Sequence, residues 1–235
     1  MRIKISFGGG GFVPFNYNHY LAGVLYRAFR EADLELAYSV HKSKSIKHFT
    51  FSDLKGGRAV KDGLVFDMGG YFLLSSPRHE VLKAAVEGLL DNGVLQIGSE
   101  RFHLERMEVL KTPEFNHMPV KLRTLSPINV STMIKIPCGL KPWDLNPSEA
   151  KFYENLRRNL MKKYELFYGR PPSNTELEIH PPSYTKQRRI EIKGTFHRAY
   201  MMDFSVSGSK ELLEIGYEAG FGEKNSMGFG MVEVM

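Results

Sequence analysis

Two segments near the start of the chain carry side chains suited to proton transfer. A wheel at about 100° per residue places Tyr26 about 150° from the centre of the apolar stripe of the first predicted helix. His41 falls at the end of a short helical pattern, where a helix C-terminus favours the protonated imidazole that can donate to a leaving oxygen. Lys47 follows in a basic stretch. The residues alone leave plainer alternatives open: an exposed or domain-covered tyrosine, and a solvated basic loop.

The segment 220–235, GFGEKNSMGFGMVEVM, is rich in glycine and runs into a predicted last strand. Glycine lets backbone N–H groups turn toward an anion, so residues 220–230, the glycine-rich segment, form a candidate phosphate cradle. Its candidate binding residues are Gly220, Gly222, Lys224, Gly228 and Gly230. The segment lacks the nucleotide-binding G-x-G-x-x-G and P-loop patterns, and it overlaps the ribonucleoprotein motif only in part. A glycine-rich turn before an edge strand is the structural alternative.

A second candidate surface is a predicted hairpin with strands at 187–193 and 196–204. We call it the basic hairpin. Ile190 and Ile192 are predicted to face inward, so that the alternate side chains face solvent. The basic side chains that could contact phosphates are Lys186, Arg188, Arg189, Lys193 and Arg198. A solvated hairpin without a ligand is the alternative.

Composition indicates a folded protein with an anionic partner. The 235 residues are 42% apolar, and 32 Lys and Arg against 26 Asp and Glu leave a net charge of +6. A single cysteine, Cys138, excludes an internal disulfide and fits a reducing compartment. Neither a signal peptide nor an apolar run of roughly 18 residues is present, so we expect a soluble, cytoplasmic protein with no membrane partner.

Several kinds of catalytic site find no support in the residue spacing. The eight histidines form neither H-E-x-x-H nor another close ligand pattern, so no metal site and no cofactor are expected. Serine catalysis lacks a G-x-S-x-G elbow. Cys138 lies in an apolar context that favours a buried structural thiol.

The order of predicted elements is β-α-β-β-α-β, and it occurs twice. In the first half, the predicted strands lie at about 2–7, 47–52, 64–75 and 101–110, with helices starting near 18 and after Pro77. In the second half, the predicted strands lie at about 121–130, 187–193, 196–204 and 228–234, with helices at about 146–168 and 210–217. The pattern predicts an α+β fold of two tandem ferredoxin-like (RRM-like) domains, with the glycine-rich segment before the last strand. We place the domains at 1–115 and 116–235, divided in the proline-containing segment 111–121.

Three stretches together resemble one family in the same order. They are VPFNYNHYLAGVLYRAF, HKSKSIKHFTFS and the tail GYEAGFGEKNSMGFGMVEV, and the similarity extends over essentially the whole chain. They resemble the CRISPR-associated endoribonucleases that cut precursor CRISPR RNA within its repeats (Cas family six, RAMP superfamily). The family fold, two ferredoxin-like domains, agrees with the fold predicted from periodicity.

The resemblance implies a catalytic set and a chemistry. By position, the family's catalytic tyrosine, histidine and lysine match Tyr26, His41 and Lys47. The implied reaction is metal-independent attack by the substrate's own 2′-OH, which leaves a 2′,3′-cyclic phosphate and a 5′-OH. We assign His41 as the acid for the leaving oxygen, Tyr26 as the group that orients or activates the 2′-OH, and Lys47 as the charge stabiliser. The reverse division between Tyr26 and His41 stays open.

The resemblance also implies partners. CRISPR repeat RNA is the expected substrate; subunits of a CRISPR effector complex and a second copy of the chain are further candidates, and DNA is not expected. A non-catalytic subunit that binds CRISPR RNA within an effector complex is the main alternative function. This alternative predicts that the protein binds repeat RNA without cleaving it.

Overall fold

The computed structural model describes residues 1–42, 46–137, 139–192 and 194–235. Lys193 of the basic hairpin and Cys138 lie outside the described residues, as does the side chain of His41. In the described part of the chain, no helix is both long enough and apolar enough to cross a membrane.

The first half of the chain forms a five-stranded sheet, a smaller three-stranded sheet and three helices. In chain order the elements are β1 (Arg2–Gly8), β2 (Gly11–Pro14), α1 (Asn18–Ala32), α2 (Leu34–Lys42), β3 (Thr50–Phe51), β4 (Arg58–Ala59), β5 (Gly63–Phe66), β6 (Gly70–Ser75), α3 (His79–Asn92), β7 (Val94–Ile97) and β8 (Glu100–Leu110). The larger sheet has the order β3-β6-β1-β8-β7, and its neighbouring strands are antiparallel. Elements β1-α1-β3-β6-α3-β8 therefore form a ferredoxin-like unit.

The core of this unit follows the predicted pattern of α1. Its apolar stripe is buried in one cluster with side chains of the large sheet and of α3, as the 3.6-residue period predicts. The members of that stripe are Leu21, Val24, Leu25, Ala28 and Phe29.

One predicted strand of the first half is wrong. The segment 64–75 forms two strands, β5 and β6, which belong to different sheets. The chain turns at Gly69, whose φ is +107°, and a Cβ there would lie 2.1 Å from the carbonyl oxygen of Phe7. Glycine is needed at this turn, and the apolar run on both sides of it conceals the break.

The second half repeats the arrangement. Its elements are β9 (Val120–Thr124), β10 (Ser131–Ile136), β11 (Gly139–Asp144), α4 (Ala150–Tyr168), β12 (Leu177–Ile192), β13 (Thr195–Gly208), α5 (Lys210–Ala219), a 3₁₀ turn (Asn225–Met227) and β14 (Val232–Val234). The sheet order β12-β13-β9-β14 and the helices α4 and α5 give the second ferredoxin-like unit. The predicted α+β fold with two such domains is confirmed, whereas the boundary between residues 115 and 116 stays a prediction.

Two local predictions in this half are wrong. The predicted strand 121–130 ends at Thr124, and β10 begins only at Ser131 and pairs with β11 in an additional hairpin. Helix α4 begins at Ala150, because Glu149 has an extended backbone (φ −94°, ψ 126°). Residues 146–149, predicted as the start of the helix, form a separate turn instead, in which the Glu149 carboxylate accepts a hydrogen bond from the backbone N–H of Asn146 at 2.6 Å.

Candidate functional site at the domain junction

The structure brings together two of the three predicted catalytic residues. Tyr26 is half-buried on α1, where its ring packs edge-on against Phe29 and Phe49. Lys47 lies in the segment before β3, and its Nζ donates a hydrogen bond to the Tyr26 hydroxyl oxygen at 2.9 Å. A phenol and an ammonium thus meet at one point of the surface, where they can act on a single phosphate group.

The third predicted residue, His41, is at the penultimate position of α2. Because the structure does not describe its side chain, its distance from Tyr26 and Lys47 is not defined. Helix α2 packs against α1, the helix that carries Tyr26. The catalytic roles of Tyr26, His41 and Lys47 stay predictions.

The segment that carries Lys47 is fixed to the second domain through His48. This residue is buried, and its Nε2 donates a hydrogen bond to the backbone carbonyl of Lys163 in α4 at 2.9 Å. Burial lowers the pKa of His48 below its ordinary value, which favours the neutral ring. On the other side, Ser76 Oγ donates to the His48 carbonyl at 2.7 Å. His48 therefore anchors the backbone beside Lys47.

The glycine-rich segment is held by side chains that bind its carbonyl oxygens. From the first domain, Asn18 Nδ2 donates to Met227 O at 3.0 Å, and Thr50 Oγ1 donates to Phe229 O at 2.8 Å. Within the segment, Asn225 Nδ2 donates to Phe229 O at 2.9 Å. The segment lies against both domains and joins them.

The glycines of the segment have a structural role inside the protein. Gly220, Gly222, Gly228 and Gly230 all have φ between +73° and +89°. A Cβ at Gly228 would lie 2.3 Å from the Phe51 ring, and one at Gly230 would lie 1.9 Å from a backbone oxygen. Both the left-handed backbone and the contact distances require glycine. Close approach of RNA to these glycines stays a prediction.

Two lysines, Lys224 within the glycine-rich segment and Lys163 of α4, form hydrogen bonds in this region. Lys224 Nζ donates to Asn129 Oδ1 at 2.9 Å, so its charge is partly used within the protein. Lys163 is only 1% exposed, and its Nζ donates to the carbonyl oxygens of Gly220 and, at 2.7 Å, of Gly222. Burial lowers the pKa of Lys163 from 10.5 to about 7. Lys163 is a residue that the sequence analysis missed.

A cleft of about 230 Å³ separates the Lys47 segment from the glycine-rich segment. Lys47 and His48 line one wall, Lys163 and Asn159 of α4 line the base, and residues 222–226 line the other wall. The side chains that line it include more lysines than acids, with Glu223 as the acidic member among the described residues. Such a charge balance favours an anionic ligand.

The basic hairpin presents its predicted residues on two faces. Arg189 pairs with Arg198 across β12 and β13, so these two share a face; Arg189 lies over the Phe196 ring at 3.7 Å and Arg198 over the Trp143 ring at 5.2 Å. Lys186 and Arg188 have the opposite parity, which they share with the buried Ile190. The hairpin therefore offers a cationic and aromatic face with Arg189 and Arg198 and a separate face with Lys186 and Arg188. Their binding of RNA stays a prediction.

No group of three or more His, Cys, Asp or Glu that could hold a metal ion occurs among the residues that the structure describes.

Two family models match the chain in succession. The first, CRISPR-associated protein Cas6, N-terminal, matches residues 12–108, and the second, CRISPR associated protein Cas6, C-terminal, matches residues 110–234. The chain belongs to the Cas6 family. The family resemblance stated from the sequence is confirmed.

Cas6 relatives match nearly the whole chain. CRISPR-associated endoribonuclease Cas6 1 of Methanocaldococcus jannaschii is 39% identical and covers 99% of this chain and 92% of its own length. CRISPR-associated endoribonuclease Cas6 of Pyrococcus furiosus is also 39% identical, and the match covers 94% of this chain and 83% of that relative. A solved structure of a CRISPR associated protein Cas6 is 37% identical, with a TM-score of 0.87, and covers 100% of this chain and 99% of its own.

Proposed function

We propose that the chain is an endoribonuclease that cuts precursor CRISPR RNA within its repeats, without a metal ion. Membership of the Cas6 family supports this, since two relatives of 39% identity are named CRISPR-associated endoribonucleases. The observation that carries the proposal is the 2.9 Å hydrogen bond from Lys47 Nζ to the Tyr26 hydroxyl, at the edge of a lysine-lined cleft between the domains.

The reaction uses the 2′-OH next to the scissile phosphate as an internal nucleophile. The 2′-oxygen forms a bond to phosphorus, its proton passes to a base, and the bond from phosphorus to the 5′-oxygen breaks as an acid protonates that oxygen. Tyr26 orients or activates the 2′-OH, His41 protonates the 5′-oxygen, and the Lys47 ammonium stabilises the extra negative charge on the phosphorane. The products carry a 2′,3′-cyclic phosphate and a 5′-OH.

RNA binding in this proposal uses two surfaces, one of them the cleft that Lys47 itself lines. The cleft beside Lys47 and the Arg189–Arg198 face of the basic hairpin supply cations and aromatic rings. A solved structure described as an RAMP protein binding different RNA substrates is 26% identical, with a TM-score of 0.92, which supports RNA as the ligand class.

The deciding experiment is incubation of the purified protein with end-labelled repeat RNA in EDTA. We expect cleavage at one position, with cyclic phosphate on the upstream product. A matched RNA with a single 2′-deoxy nucleotide upstream of that position should bind with unchanged affinity and stay intact. Cleavage of the deoxy RNA, or a strict need for Mg²⁺, contradicts the mechanism. Tight binding without any cleavage supports the non-catalytic effector subunit instead.

A further inference from the structure

A groove of about 430 Å³ lies between α1 and α2, and Tyr26 is one of the residues that line it. Tyr26, Arg27 and Arg30 of α1 form one wall. Leu34 and Tyr38 of α2 form the other. Tyr26 lines this groove while its hydroxyl contacts Lys47, so the groove adjoins the proposed reaction centre directly.

The chemistry of the groove matches a single-stranded nucleotide. Leu34 and Tyr38 are 68% and 62% exposed, which is high for large apolar and aromatic side chains. Arg27 and Arg30 are both exposed and lie one helical turn apart, so they can contact the same strand. The described residues that line the groove include no Asp or Glu. An aromatic platform beside two cations favours a base that stacks and phosphates that pair with arginine.

We propose that this groove binds the ribonucleotide adjacent to the scissile phosphate. The base stacks on Tyr38 against Leu34, and its flanking phosphate contacts Arg30, with Arg27 alongside. The hydrogen bond from Arg27 to the Gln96 carbonyl at 3.2 Å holds that guanidinium at the rim. This inference rests on the proposed function: a strand whose scissile phosphate lies at Tyr26 and Lys47 must continue past Tyr26, and the groove begins there.

The test measures binding of uncleavable repeat RNA, with one 2′-deoxy nucleotide at the cut, by fluorescence anisotropy at several salt concentrations. The RNA is made intact and with an abasic residue on either side of the cut. The variants are Tyr38→Ala and Arg30→Ala. Their matched controls are Tyr168→Ala, another exposed helical tyrosine, and Lys83→Ala on α3. Circular dichroism and thermal unfolding verify that each variant is folded.

We expect one of the two abasic RNAs to bind the wild type about tenfold more weakly, and Tyr38→Ala to lose that sensitivity, because the stacked base is already without its platform. Arg30→Ala should lower the salt dependence by about 0.7 in log–log slope. The controls should behave as the wild type.

Three results have distinct meanings. Wild-type sensitivity to neither abasic RNA overturns the groove without recourse to any variant. The groove is also overturned if Tyr38→Ala and Arg30→Ala both have the affinity, the salt slope and the abasic sensitivity of the wild type. In either case, normal cleavage of unmodified repeat RNA by the wild type leaves the proposed function standing. Wild-type protein that binds repeat RNA but never cuts it contradicts the proposed function alone.

Discussion

The Nζ atom of Lys163 lies 2.7 Å from the carbonyl oxygen of Gly222, so an amine on α4 that is buried in the protein holds the start of the glycine-rich segment. A buried ammonium is costly unless its hydrogen bonds are satisfied, and here two backbone carbonyls accept them. The backbone carbonyl of the same residue accepts a hydrogen bond from His48, next to Lys47. One residue of α4 therefore contacts both walls of the cleft.

The first prediction concerns the pH dependence of stability. Because burial lowers the folded-state pKa of Lys163 to about 7, the unfolded chain binds more protons than the folded chain between about pH 7 and 10.5. The contribution of Lys163 to the free energy of unfolding must then rise with pH across that window. Urea unfolding at pH 7 and pH 9.5 should show a larger rise for the wild type than for Lys163→Met. For Lys162→Met, at the exposed neighbouring position, the free energy of unfolding should rise by as much as it does for the wild type. Equal rises for the wild type and Lys163→Met contradict the prediction.

The second prediction separates catalysis from binding. Tyr26→Phe, His41→Ala and Lys47→Ala should each lower the single-turnover cleavage rate by about 10²–10⁴-fold, because each removes an acid–base or charge-stabilising group. Their affinity for uncleavable repeat RNA should change little, since many other contacts bind the strand. The combined Tyr26→Phe, Lys47→Ala variant should lose less than the product of the single losses, because the two side chains contact each other. A fully multiplicative loss would mean that the two groups act independently.

The third prediction tests why Gly228 is glycine. Gly228→Ala places a methyl group 2.3 Å from the Phe51 ring at a φ of +78°, and we expect the free energy of unfolding to fall by about 1–3 kcal/mol. The matched control is Gly23→Ala within α1, where the nearest atom to the added carbon is 3.7 Å away. That change should raise stability by about 0.5–1 kcal/mol. If Gly228→Ala leaves the free energy of unfolding unchanged, the packing explanation is wrong. Close approach of RNA would then remain as the reason for glycine at this position.

The fourth prediction concerns the basic hairpin. Arg189→Ala should weaken binding of repeat RNA and lower its log–log salt slope by about 0.7–0.9, the effect of one lost phosphate contact. The control is Arg157→Ala, an exposed arginine on α4. If the folded Arg189→Ala variant keeps both the affinity and the slope of the wild type, the Arg189–Arg198 face does not bind the RNA backbone.

Local patterns predicted the elements well where one face is buried and periodic. The stripe on α1 is an example, since its five apolar positions are all in the core. The break at Gly69 was missed because the carbonyl that excludes a side chain there belongs to Phe7, more than sixty residues earlier in the chain. Patterns of neighbouring residues contain no information about such a contact.

Less of the candidate site than of the fold could be predicted from the sequence. The pairing of Tyr26 with Lys47 came from the family resemblance, because helical geometry alone left Tyr26 as an exposed or covered tyrosine. Lys163 was missed because it adjoins Lys162, and a basic pair in an amphipathic helix ordinarily lies in solvent. Its acceptors, Gly220 and Gly222, are 57 and 59 residues away. An apolar neighbour, Tyr164, on the same buried side was the available signal.

The carbonyl contacts of the glycine-rich segment also set an order of events during synthesis. Asn18 and Thr50 belong to the first domain, yet their partners, Met227 and Phe229, come 209 and 179 residues later. Domains generally fold as they leave the ribosome, so the first sheet can form while these two side chains still lack the oxygens they bind in the finished protein. The junction between the domains closes only after almost all of the sequence has been translated. A ribosome that stalls before residue 222 would release a first domain with Tyr26 and Lys47 in its sequence but without the far wall of the cleft.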